Sequence, residues 1–153
     1  MIKPGLEFVY EARGELLAPI PIGETYDGTR RIIPIVGGGR VEGPLISGKL
    51  VGNAADWQLT RLDGVTVVEA IYALETDDGV TIQIRNKGLR HGPPEVMARL
   101  AAGDEVDPAA YYFRTVPEFT APTGKYEWMN RSIFLCTGAR YPLSIRLWVW
   151  RVT

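Results

Sequence analysis

The sequence predicts an all-β protein: an antiparallel, closed or strongly curled β-barrel of lipocalin-like shape, with about nine strands and one short helix. Three observations carry this. Two Asp-Gly pairs, Asp63-Gly64 and Asp78-Gly79, sit between runs rich in β-branched residues, and Asp-Gly is a strong hairpin signal because it tolerates positive φ. Only one segment has helical periodicity. The many short runs of Val, Ile, Trp and Tyr would leave sticky edges on an open sheet, and closure removes edges. A two-sheet sandwich with the same strand count is the alternative.

The elements follow in order. Leu6, Phe8, Tyr10 and Ala12 alternate with Glu7, Val9 and Glu11, which predicts a first strand with one apolar face. Arg30 to Val36 is a short apolar run ended by Gly37-Gly38-Gly39. Val41 to Val51 is interrupted by Gly43-Pro44 and Ser47-Gly48, which mark bends or bulges. Trp57 to Asn86 reads as a three-stranded meander with two-residue turns at the Asp-Gly pairs. Pro93 to Gly103 is the helix: proline leads it, Glu95 sits in its first turn, Val96, Met97, Leu100 and Ala101 form a stripe, and Gly103 ends it. Tyr111 to Phe119, Tyr126 to Thr137 and Pro142 to Val152 read as the last strands.

At 153 residues, residues 1–153 form a single domain. The formal net charge of -1, from 17 Lys+Arg against 18 Asp+Glu, offers no basic field for nucleic acid and no basic helix for a membrane. The start lacks the apolar core of a signal peptide, and no apolar stretch is long enough to span a bilayer. A cytoplasmic location is expected. The single cysteine, Cys136, precludes an internal disulfide.

The chemistry is narrowed by what is missing. His91 is the only histidine, which excludes paired-histidine schemes and His-rich metal sites; beside the helix prolines it reads as exposed or capping. Cys136, in the apolar run SIFLC, reads as a buried inert thiol. Gly37-Gly38-Gly39 lacks the spacing of a phosphate-binding loop. No metal and no cofactor are expected.

Polar residues inside apolar strands are more informative, because a charge facing a barrel interior needs a partner or a ligand. Period two places Tyr72 with Val68, Ala70 and Leu74, and Asn86 with Ile82 and Ile84. It places Tyr112 with Arg114, and Trp128 with Asn130. A cavity walled by Trp, Tyr and Phe, with Arg114, Asn130 and Asn86 pointing in, suits an aromatic or carbonyl-bearing molecule. The alternative puts these residues outside, with the aromatics covering a subunit contact.

The succession GTRRIIPIVGG, VEGPLISGKL, ADWQ, TDDG followed by VTIQIRNKG, then YYFRT and YEWMN resembles the DUF3237 (UPF0311) family from about Tyr26 to the C-terminus. The resemblance implies a small calycin-like barrel with no settled activity. It also implies a site at Arg30 or Arg31, Asp56, Trp57, Tyr72, Asn86, Arg114, Trp128 and Asn130. One departure is Asn53-Ala54, where the family has a glycine pair.

Within that set, Asp56 is the only carboxylate and Arg31 and Arg114 are its natural countercharges. An arginine alongside would keep Asp56 ionised. Asp56, Tyr72 and Arg114 are the expected catalytic residues, and Arg31, Trp57, Asn86, Trp128 and Asn130 the expected substrate contacts. The expected function is a cofactor-free enzyme acting by proton transfer (isomerase, cyclase or lyase type) on a small aromatic or unsaturated carbonyl compound held in the barrel. The alternatives are a non-catalytic ligand-binding protein and an oligomeric scaffold. Trp148, Trp150 and Arg146 share one face of the last strand, opposite Leu147 and Val149, which points to a homodimer or larger assembly.

Overall fold

The computed structural model describes residues 1–153. Ten strands form: β1 (Leu6–Leu16), β2 (Ile20–Thr25), β3 (Gly28–Val36), β4 (Arg40–Glu42), β5 (Gly48–Arg61), β6 (Thr66–Thr76), β7 (Thr81–His91), β8 (Tyr112–Thr120), β9 (Phe134–Arg140) and β10 (Ser144–Val152), with helix α1 at Pro94–Ala101. Eight of them close a ring in the order β10-β9-β8-β7-β6-β5-β4-β1, with β1 returning to β10. The expected closed barrel is therefore present. β3 lies across the same seam as β4, paired with β5 from Gly28 to Ile35 and touching β1 at Glu15 and Leu16. β2 is a hairpin partner of β3 outside the ring. Its exposed apolar residues escaped the sequence reading because Pro19, Pro21 and Gly23 interrupt them.

The meander forms as expected, but its turns are one residue longer. Gly64 donates to the Arg61 carbonyl while Arg61 donates to the Val65 carbonyl, and Gly79 and Thr76 repeat the pattern with Val80. Each loop thus has three residues, with glycine alone at positive φ (+85° and +84°) and no aspartate there. This is a tight turn followed by a left-handed glycine, the commonest three-residue hairpin. Aspartate bears a Cβ that makes the left-handed region costly, so one positive-φ position is easier to fill than two.

Tyr126 to Thr137 does not form one strand. Glu127–Arg131 is a 3-10 helix, and β9 starts only at Phe134. A bend and two tethers explain this. Gly124 bends the chain at φ +120°, the Asn130 amide pairs with both the N–H and the carbonyl of Ala121 at 2.8 Å, and the Tyr126 hydroxyl donates to Asp78 at 2.7 Å. Asp78, which also accepts from Lys125 at 2.9 Å, is held well below the usual carboxylate range by its hydrogen-bonding neighbours Thr76, Lys125 and Tyr126.

Two apolar clusters plug the barrel. The larger includes Tyr10, Val41, Leu74, Ile82, Ile84, Phe119, Met129 and Phe134, with the 3-10 segment laid over it. The smaller joins Leu100 of α1 to Val68, Val106, Tyr111 and Phe113. Between the plugs runs a band of polar side chains, set there by period two along each strand.

Candidate functional site

The band is built from strand registers. Asp56 and Gln58 are two apart on β5 and both face in, buried to 9% and 4% exposure. Asp56 lies opposite Ala70 of β6, and Ala70 opposite Asn86 of β7. Tyr72 follows Ala70 on the same face. Two residues beyond Gly88 on β7 stands Arg90, which is 3% exposed and is paired with Phe113 of β8. Arg31 pairs with Gln58 across β3 and β5, and Arg140 pairs with Ile145 across β9 and β10.

Asp56, Tyr72, Asn86 and Thr115 reach one interior slot, otherwise walled mainly by apolar groups such as Val68, Phe113, Ile145 and Leu147. Small residues Ala12, Gly14 and Ala70 leave the room. The unfilled space is about 550 Å³ counting its open mouth, yet only about 50 Å³ of it admits the centre of a water molecule. The slot is therefore narrow.

Gln58 organises the polar contacts. Its Nε2 donates to Asp56 Oδ2 at 2.6 Å, and its Oε1 accepts from Arg31 Nε at 2.9 Å and from an Arg90 terminal nitrogen at 3.4 Å. The backbone N–H of Glu69 donates to Asp56 Oδ1 at 2.9 Å. The amide thus stands between the carboxylate and the guanidiniums, and Asp56 has no ion pair within 4.0 Å among the salt bridges of the fold. Burial consequently outweighs its hydrogen bonds and distant arginines and pushes the Asp56 carboxyl above its ordinary value. That differs from the expected arginine-held carboxylate. Burial also raises the Tyr72 hydroxyl well above its ordinary value, against a smaller opposing pull from Asn86, so Tyr72 is a neutral donor. Cys136 is pushed up to about 11, again mainly by burial, and is an inert thiol. Desolvation, helped by the nearby charge of Arg31, lowers Arg90 to about 10.

The other expected positions lie elsewhere. Arg114 is on the outer face: Phe113 and Thr115 take the inward positions of β8, and Arg114 stacks on Tyr112 at 5.2 Å and donates to the Phe113 carbonyl. The expectation that Arg114 points in is corrected by that phase. Trp57 faces outward and is 56% exposed. Arg30 is held by Asp27 in the β2–β3 turn. Trp128 packs on Phe134 beneath Arg151, and Asn130 ties the 3-10 segment to Ala121, so neither lines the slot; the strand assumed for them does not exist. Gln58, Arg90, Arg140 and Thr115 were missed. Arg90 shares a face with Asn86 by period two, but the expected meander stops at Asn86, short of the end of β7. No cluster of three or more His, Cys, Asp or Glu side chains is placed to hold a metal ion, and no helix is long and apolar enough to cross a membrane.

The fold and its interior polar band define a small antiparallel barrel protein with a narrow, partly charged slot. The chain belongs to the family described as "Protein of unknown function (DUF3237)", whose model matches residues 4–152, as the resemblance implied. A UPF0311 protein of Rhodopseudomonas palustris (strain TIE-1) is 44% identical over 78% of this chain and 77% of its own length. One of Clostridium acetobutylicum is 40% identical over 88% and 85%. Among solved structures, a conserved protein of unknown function from R. palustris superposes with TM-score 0.95 at 35% identity, covering all of both chains. A beta-barrel like protein from Acinetobacter baumannii gives 0.86 at 34%, over 100% and 98%. An enzyme from Penicillium herquei gives 0.74 at 17%, over 100% and 97%, a likeness of fold alone.

Proposed function

We propose that the slot binds a small, planar aromatic or unsaturated carbonyl compound and that Asp56 moves a proton on it. The observation that carries this is a buried carboxylate, spaced from every arginine by Gln58, facing an apolar slot beside Tyr72 and Asn86. A carboxylate of raised pKa is a stronger base than one clamped by an arginine. In the proposed step Asp56 takes a proton from carbon next to the carbonyl, the C–H electron pair forms a C=C bond, and the carbonyl π pair moves onto the oxygen. Tyr72 donates a hydrogen bond to that developing oxyanion, with the Asn86 amide beside it. Returning the proton to a different carbon completes an isomerisation; expelling a leaving group completes an elimination.

The experiment follows loss of α-deuterium from small aryl ketones in ordinary water. Asp56→Asn is expected to lower the exchange by about 100-fold or more while leaving the circular dichroism and unfolding midpoint near wild type. Because the base must be ionised, wild-type exchange is expected to rise with pH through a midpoint above 3.8, the ordinary aspartate value. The stability effect has the opposite sense. A raised folded-state pKa means the native chain holds the proton more tightly. This contribution is full below 3.8 and is lost as pH rises through the raised value. Ketones that bind in the slot with no exchange by wild-type protein would leave a binding protein without turnover.

A further inference from the structure

We propose that the ligand of this slot is an anion: a planar aromatic or unsaturated acid whose carboxylate or acidic phenol oxygen sits against Arg90 and Arg31. The inference rests on the slot being the ligand site, and adds the ligand's charge. Arg31, Arg90 and Arg140 lie close enough to feel one another's charge or that of Asp56, and Asp56 is the only buried carboxylate among them. Three cations against one anion leave two positive charges over. None of the three arginines makes an ion pair within 4.0 Å. An unneutralised buried charge costs several kcal/mol, a cost that binding of an opposite charge offsets.

The hydrogen bonds divide the three. Arg140 is tied to the Tyr141 and Ser144 carbonyls through one terminal nitrogen, which holds it toward the β9–β10 turn. Arg31 makes one side-chain hydrogen bond, through Nε to Gln58, which leaves its terminal nitrogens for a ligand. Arg90 makes one contact, at 3.4 Å, and its Nε has no partner although the residue is buried. A buried charged donor without an acceptor is a rare and costly arrangement in a free protein and an ordinary one in a binding site. Asn86 Oδ1 and Thr115 Oγ1 are also buried without partners, and both residues border the slot.

The placement selects an aromatic acid. The Arg90 guanidinium lies 5.5 Å from the centre of the Phe113 ring, and Phe113 is a slot wall. Ile145, the cross-strand partner of Arg140, is another wall, and Asp56 stands two residues from Gln58, the cross-strand partner of Arg31. A ring lying along Phe113 would therefore direct an acidic substituent at the arginines. A guanidinium fork matches a carboxylate in two parallel hydrogen bonds.

The test compares 2-naphthoate with 2-naphthamide, equal in shape and different in charge, by calorimetry and by nitrogen–proton NMR at neutral pH. The naphthoate is expected to bind about tenfold or more tightly than the amide and to shift the Arg90 Nε–H resonance. Arg90→Met should bring the two within about twofold of each other, and Arg114→Met, on the outer face, should leave the preference intact. Arg31→Gln gives the same comparison should Arg90→Met fail to fold. Equal binding of acid and amide to wild-type protein, or a preference that survives both Arg90→Met and Arg31→Gln, overturns the anion inference while the slot remains a ligand site. If neither probe perturbs Tyr72, Asn86 or Thr115, the ligand-site reading falls with it.

Discussion

Phe134→Ala is expected to destabilise the protein by about 3–5 kcal/mol, a large part of the roughly 5–15 kcal/mol that holds a domain of this kind folded. Phe134 is 1% exposed and among the largest fully buried side chains. Its ring meets Phe119 edge-on at 4.7 Å and Trp128 at 5.9 Å, so it joins the barrel wall to the 3-10 segment that covers the plug. Truncation removes apolar contact and leaves a void that a closed ring of strands cannot collapse around. Urea titration followed by far-ultraviolet circular dichroism measures the loss, and tryptophan fluorescence reports whether Trp128 loosens with it. A loss below about 1 kcal/mol would mean that the plug is not packed as described.

The second large effect is expected at Gly88. A Cβ placed there would lie 2.1 Å from the Arg114 carbonyl oxygen and 2.4 Å from the Thr115 Cα. Both are backbone atoms of the neighbouring strand, so no rotamer change relieves the clash, and β7 and β8 must separate. Gly88→Ala is expected to cost about 3 kcal/mol or more, against less than about 1 kcal/mol for Leu89→Ala beside it, whose partly exposed side chain faces outward. Denaturant midpoints of the pair decide it. Equal midpoints would show that the strands do not approach so closely.

The architecture was readable where period and turn chemistry act locally. The meander and the shared phase of Tyr72 and Asn86 with apolar neighbours follow from alternation between Asp-Gly turns, and the helix from its leading prolines and apolar stripe. Legibility stopped where tertiary contacts decide. The Tyr126 hydroxyl finds its partner far along the chain, at Asp78, and the Asn130 amide folds back on Ala121, and those bonds favour a 3-10 turn over a strand that the pattern of Trp128, Asn130 and Ser132 would also satisfy. For Arg114, alternation gave two faces without saying which faced in. Phe113 settles it, because its ring packs in the second apolar cluster. Charge misled as well: the cavity reading and the family resemblance placed Arg114 as the interior cation, whereas the buried arginine of β7 is Arg90. The pairing of Gly88 with Thr115 keeps that part of β7 in the sheet.

The seam between β1 and β10 has a consequence for the order in which the molecule is made. Leu6 pairs with Val152 and Glu15 with Ser144, so the ring closes between the two ends of the described chain, whereas β5, β6 and β7 pair with their immediate neighbours. Loop-closure entropy makes such distant pairing slow. In stopped-flow refolding, substitutions in β6 and β7 are therefore expected to slow folding, and substitutions in β1 to speed unfolding instead; slower folding from β1 variants would reverse that order. Ala12 and Gly14 of β1 and Ile145 and Leu147 of β10 form part of the slot wall. The slot is complete only once β1 meets β10, so the proposed ligand would act as a latch against the reopening of that seam.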